Sequence, residues 1–187
     1  SYHTKLLIRY IEDMLTGRNV APSSKKGPRS YSRLVRASQK VAFILRKFEE
    51  RGIKDIRKLS EEELHKFFYE MKEGIIKTRN GKSYRSVSDY IKDFKAYWHW
   101  LMRVSKKEGK KLEDITVDLA RESGEPDFVY LTKEDVEVLL KHARGDIKPI
   151  IAFCFDSGVR PSELFNLRVM DFTNDFKEVI IRKEISK

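Results

Sequence analysis

The stretch Asp156-Ser157-Gly158-Val159-Arg160-Pro161-Ser162-Glu163-Leu164-Phe165-Asn166-Leu167-Arg168 predicts a rigid corner between two helices. Gly158 interrupts the apolar run before it, and Pro161 restarts the backbone just after it. Proline suits the first position of a helix, because the N–H it lacks would be unpaired there. Glu163 then falls in the first turn, where a carboxylate meets the positive end of the helix dipole. Leu164 and Leu167 are one turn apart and can anchor the new helix. Arg160 is left at the corner with a carboxylate three residues on. Taken alone, this is also what an ordinary helix-helix turn with a surface arginine looks like.

The sequence on either side continues the pattern. Leu131, Thr132 and Asp135 open a helix, with Thr132 as its cap. Val136, Leu139, Leu140 and Ala143 are expected to face inward, and Gly145 to end that helix. Ile147 to Phe155 is apolar nearly all round and is expected to be a buried central helix. Asn174-Asp175 is a turn, and Glu178-Val179-Ile180-Ile181-Arg182-Lys183 reads as a strand.

From Tyr130 to Phe172 the chain resembles the opening of the catalytic domain of tyrosine recombinases, the phage-integrase and Xer group. The shared box is Gly158, Val159, Arg160, Glu163, Leu164, Leu167 and Asp171, with Ser157 where the family usually has Thr. The match of Asp135 to the family's glutamate is one residue out of register. The resemblance implies that Arg160 is an active-site arginine and that Glu163 orients it. It also implies a hairpin lysine, for which Lys187 is the first candidate and Lys183 the second. The family's further residues, a His-x-x-Arg pair and a nucleophilic Tyr, have no counterpart here: no Tyr follows Tyr130. The chain is therefore expected to be inactive alone, as a fragment of a larger enzyme or a natural truncation.

Upstream, Leu6, Leu7, Ile11 and Met14 lie near helical spacing over Tyr2 to Leu15. Gly17 to Pro28 reads as a flexible basic linker. Ser30 to Arg51 is a helix with Leu34, Val41, Leu45 and Phe48 as its stripe and Gly52 as its stop. Ser60-Glu61-Glu62-Glu63 begins a second helix as a capping box, carrying Leu64, Phe67, Phe68 and Met71. After the turn at Arg79 to Ser83, a long third helix runs to about Lys107 with Val87, Ile91, Phe94, Trp98 and Leu101 inward. This unit is similar to the core-binding domain of the same family, a small SAM-like helical domain. The expected division is 1–28 as helix and linker, 29–123 as a helical DNA-binding domain and 124–187 as the start of an α+β catalytic domain. Gly124-Glu125-Pro126 is expected to be an exposed hinge. The fold class is mainly α.

Composition narrows the partners. Lys and Arg number 39 against 29 Asp and Glu, a formal net charge of +10. That excess suits nucleic acid, and equally an acidic protein or an anionic membrane surface. No apolar run approaches a membrane span, and a cytoplasmic protein is the default. Cys154 is the one cysteine, so no disulfide can form within the chain, and a buried apolar thiol is expected. His65 has no second ligand at metal spacing. Duplex DNA is the expected partner. Arg29, Arg33 and Lys40 on the first long helix are candidate phosphate contacts. So are Lys82, Ser83, Tyr84, Arg85 and Ser86, placed where backbone N–H groups are free at a helix start. The resemblance implies a tetramer on paired DNA sites and strand exchange through a 3′-phosphotyrosyl link, with no cofactor and no metal. A catalytically inactive DNA-binding regulator, or an unrelated basic helical protein that binds RNA or serves as a scaffold, remains open.

Overall fold

The computed structural model describes residues 2–20, 27–78, 80–84, 86–119 and 129–186. Of the expectations above, those for 21–26, Arg85, the Gly124-Glu125-Pro126 hinge and Lys187 lie outside these residues. The chain divides into two compact units, Ser1–Glu125 and Pro126–Lys187, and its described part is mainly helical.

The first unit is built from α1 (Tyr2–Thr16), α2 (Tyr31–Glu50), α3 (Glu61–Lys72) and α4 (Val87–Lys107). Each has apolar residues three and four apart, so each presents one stripe to a common core. Phe48, Phe67, Phe68 and Phe94 meet at its centre, with ring centroids 4.8 Å apart for Phe48–Phe67 and 6.1 Å for Phe68–Phe94. Burying one such ring contributes roughly 1.5–3 kcal/mol relative to exposure. α3 starts as the sequence predicts: Ser60 Oγ accepts the Glu63 N–H at 3.2 Å, and Glu63 accepts the Ser60 N–H at 2.9 Å.

The N-terminal helix is part of this core rather than a preamble to it. Leu6, Tyr10 and Met14 of α1 are buried against α2 and α4. Trp100 donates its indole N–H to Asp13 at 2.7 Å, which ties α4 to α1. The ends of the Gly17–Pro28 segment are also pinned. Arg29 N–H donates to Met14 O at 3.0 Å. Gly17, at φ +73°, lies so close to Gly27 that a Cβ would sit 2.7 Å from its carbonyl carbon. These contacts join residues far apart in sequence, so periodicity alone did not show them.

The second unit holds α5 (Lys133–His142), α6 (Lys148–Ser157), the one-turn α7 (Pro161–Leu164) and a two-stranded hairpin. Its strands are β1 (Phe172–Thr173) and β2 (Glu178–Val179), antiparallel with Phe172 opposite Val179. Three expectations fail here. No described residue of α6 is buried and Phe155 is 50% exposed, so α6 is not a buried central helix. Its four-sided apolarity called for neighbours on every side, and the described packing within this unit comes from α5 and from Phe172 of the hairpin. Leu139 is exposed, and Val136 is the residue of α5 that is buried. The strand expected over 178–183 ends at Val179. Arg182 turns back to Asp171 and Asn166, and Lys183–Ile185 form a turn.

Candidate functional site: an arginine corner and a basic helical face

The corner forms as its residue types require. α6 ends at Gly158 in the left-handed region, φ +65°, and the Gly158 N–H donates to Cys154 O at 3.0 Å. Glycine meets that conformation without the Cβ clash another residue would suffer. Ser157 keeps the hydroxyl that a Thr would offer: Oγ donates to Phe153 O at 2.5 Å and accepts the Val159 N–H at 3.3 Å. Val159 is buried and fixes the chain just before Arg160. Arg160 is extended, at φ −73° and ψ 149°, and occupies the cap position of α7 with Pro161 following.

Glu163 locks the corner from within. Its Oε2 accepts the Arg160 backbone N–H at 2.8 Å, and its Oε1 accepts from Arg160 Nη1 at 3.1 Å. The two side chains differ sharply in exposure, 64% for Arg160 and 8% for Glu163. Nη1 of a largely exposed guanidinium is therefore held by a buried carboxylate. A guanidinium is a planar, always-protonated fork of the kind that suits an oxyanion.

Asp171 closes the box. It is buried, accepts the Arg168 backbone N–H at 2.8 Å and lies 2.7 Å from Arg182 Nε. The Arg168 N–H lowers its pKa most; burial opposes this, and the Arg182 charge and hydrogen bond add to the lowering. Arg182 also donates to Asn166 O at 2.8 Å, so one side chain ties the hairpin to the loop after α7. Sequence reading placed Arg182 in a strand and gave it no role. Spacing gave no signal for the pair, because Asp171 and Arg182 meet only across the hairpin turn. Lys183 lies in the exposed turn after Arg182 and Cys154 is half-buried, in an intermediate environment. Tyr130 is exposed ahead of α5, where Thr132 and Asp135 form a reciprocal cap with Asp135 Oδ2 accepting the Thr132 N–H at 2.9 Å.

The basic residues of the first unit fall into two groups. Arg29 and Arg33 flank the start of α2, where Ser30 makes no side-chain cap and the first turn carries no acid. Lys40 is instead engaged with α4: Nζ lies 3.1 Å from Asp93 and 3.7 Å from Asp89, and 5.6 Å from the Tyr90 ring centre. Lys82 and Ser83 are exposed in the segment before α4, and Ser86 takes the cap position without a side-chain cap. The helix begins after these residues, so its first turn is formed by Val87 to Asp89. Tyr84 packs on Phe43 and Tyr90, at 5.4 and 5.3 Å between ring centres, and burial raises its pKa. His65 lies 3.7 Å from Glu61. Among the described residues no cluster of His, Cys, Asp and Glu could hold a metal ion, and no helix is long and apolar enough to cross a membrane.

Comparison with known proteins gives no match: no family model, no curated protein and no solved structure aligns significantly with the chain.

Proposed function

We propose that the chain is the DNA-binding part of a site-specific tyrosine recombinase or integrase. In this reading the first unit is a SAM-like core-binding domain that grips the duplex. The second is the opening of an α+β catalytic domain. The observation that carries the reading is the Arg160 corner: a buried carboxylate holds an exposed guanidinium at a glycine-proline junction. The formal net charge of +10 supports a polyanionic partner.

The chemistry follows from the guanidinium. A phosphodiester under attack gathers charge on its non-bridging oxygens, and a planar fork that is always protonated matches two of them at once. Held still beforehand, it stabilises that charge without reorganising during the step. Glu163 acts through Arg160 by fixing its direction. By the resemblance, a tyrosine hydroxyl beyond this sequence attacks phosphorus and displaces the 5′ oxygen. Lys187, or Lys183, gives that oxygen its proton. The 3′-phosphotyrosyl bond keeps the energy needed for rejoining. Paired sites held by four copies complete strand exchange in the cytoplasm.

The test is to read the encoding frame past Lys187 and assay its product on a nicked suicide duplex. A downstream His-x-x-Arg and Tyr, with covalent DNA linkage that depends on Arg160, support the enzyme. A frame without them, whose product still binds duplex, favours a DNA-binding regulator. A product that binds no duplex at low salt overturns the reading.

A further inference from the structure

A cleft of about 280 Å³ opens between α1, the start of α2 and the middle of α4. Tyr10 and Trp100 form part of its floor, and both are buried. Arg33 lines it from α2 and Arg29 from just before that helix, with Lys92 and Lys95 from α4. Asn19, Asp93 and His99 add further polar groups to the lining.

The charges in this cleft do not cancel. Asp93 is already engaged by Lys40 at 3.1 Å, and His99 is paired with Asp114 at 2.9 Å. Lys95 reaches the Val117 carbonyl at 3.5 Å. Arg29, Arg33 and Lys92 make no ion pair among the described residues, whereas in the adjoining hollow Arg103 and Lys107 are taken up by Val20 O and Asn19 Oδ1. Two arginines also flank a helix start that has neither a side-chain cap nor an acid in its first turn. Cations there oppose the helix dipole, an arrangement that an anion relieves. The apolar floor sharpens the field, because a concave wall of low dielectric concentrates the potential of like charges. Burial raises the Tyr10 phenol to about 12, with Asp93 adding to the rise and Arg33 and Arg29 opposing it, so Tyr10 stays a neutral hydroxyl among these cations.

We propose that this cleft is a seat for one phosphate group, gripped by Arg29 and Arg33 on one side and Lys92 on the other. Donors from two helices surround a tetrahedral group better than a planar carboxylate. Tyr10 and Trp100 are committed to each other edge-on, 5.3 Å between centres, so the floor is not a platform for stacking a base. The phosphate is either a backbone phosphodiester or a free phosphate. As an anchor for duplex DNA, the seat rests on the reading given above.

The experiment uses the full chain, ¹⁵N-labelled, titrated with inorganic phosphate at constant ionic strength against a chloride control, and separately with a 20-base-pair duplex. Saturable shifts of the Trp100 indole and of the Arg33 and Lys92 amides with phosphate but not chloride support the seat. A paired Arg33→Ala, Lys92→Ala variant, shown to be folded by its circular dichroism, loses these shifts at least tenfold in affinity. With duplex, the same variant should lower the slope of log affinity against log salt by about 1, the share of one phosphate contact. Phosphate that saturates the cleft while duplex does not bind leaves the seat standing and removes the DNA reading. Duplex binding with unchanged affinity and salt slope in the variant, together with no phosphate-specific shift, overturns the seat and leaves the DNA reading intact.

Discussion

Asp171 and Arg182 are eleven residues apart in sequence and 2.7 Å apart in space, with Asp171 only 3% exposed. The pair joins the end of the arginine box to the returning arm of the hairpin. Asp171→Asn keeps the shape but halves the acceptor capacity and leaves Arg182 without its counter-charge. The second unit should melt earlier in this variant, while the Phe94-centred first unit should be unaffected. Hydrogen exchange at the Arg168 and Ile180 amides reads this directly, because Asp171 holds both, through its carboxylate and its own carbonyl.

The corner should answer differently to its two members. Glu163→Ala removes the acceptor of both Arg160 donors and should destabilise the second unit by about 1–3 kcal/mol. Arg160→Lys keeps the charge and loses the fork. In a cleavage-competent recombinase it should cut strand cleavage by about 10²–10³ while duplex affinity changes little. Glu163→Gln should cost less than Arg160→Lys, since it retains one acceptor. Normal cleavage by Arg160→Ala, measured as covalent adduct on a suicide substrate, would reduce the corner to a helix-helix turn.

Gly74 should not tolerate a side chain. It lies at φ +69°, and a Cβ there would sit 2.5 Å from Ser83 Oγ. Gly74→Ala combines left-handed strain, about 1–2 kcal/mol, with that contact. Chemical denaturation should show the loss, and Gly74→Ala with Ser83→Gly should recover the contact part but not the strain.

The Asp114 cluster gives the first unit an acid limit. Burial pushes the Asp114 pKa up, but the hydroxyl and N–H of Thr116 and the neighbouring His99 outweigh it, and the net shift is downward. A carboxyl lowered in the folded state stabilises the fold above its ordinary value of 3.8. It loses that contribution as pH falls through the lower folded value. Melting temperatures of wild type and Asp114→Asn should therefore differ most above about pH 5 and converge toward pH 3. A constant difference across that range would assign the effect to packing instead.

Duplex binding, if phosphate-led, should weaken steeply with salt. Each neutralised phosphate contributes about −0.9 to the slope of log affinity against log salt. Filter binding from 50 to 300 mM salt checks this, and a flat profile argues against backbone contacts.

Much of this protein was legible in its residues because the deciding interactions are local. Ser60 and Glu63, Thr132 and Asp135, and Arg160 and Glu163 each bond within one helical turn, so residue type and spacing determine them. The helices of the first unit likewise follow from stripes three and four apart. What only the tertiary structure decided are meetings across long sequence distances. Tyr10 and Met14 join the core of α2 and α4, Asp13 holds Trp100, and Asp171 takes Arg182. The same distinction separates Lys40, drawn to Asp93 on another helix, from Arg29 and Arg33, left facing a cleft. It also explains α6: its sequence sets an apolar surface on all sides, but burial depends on which elements pack against it, and that is a property of the assembled fold rather than of the helix.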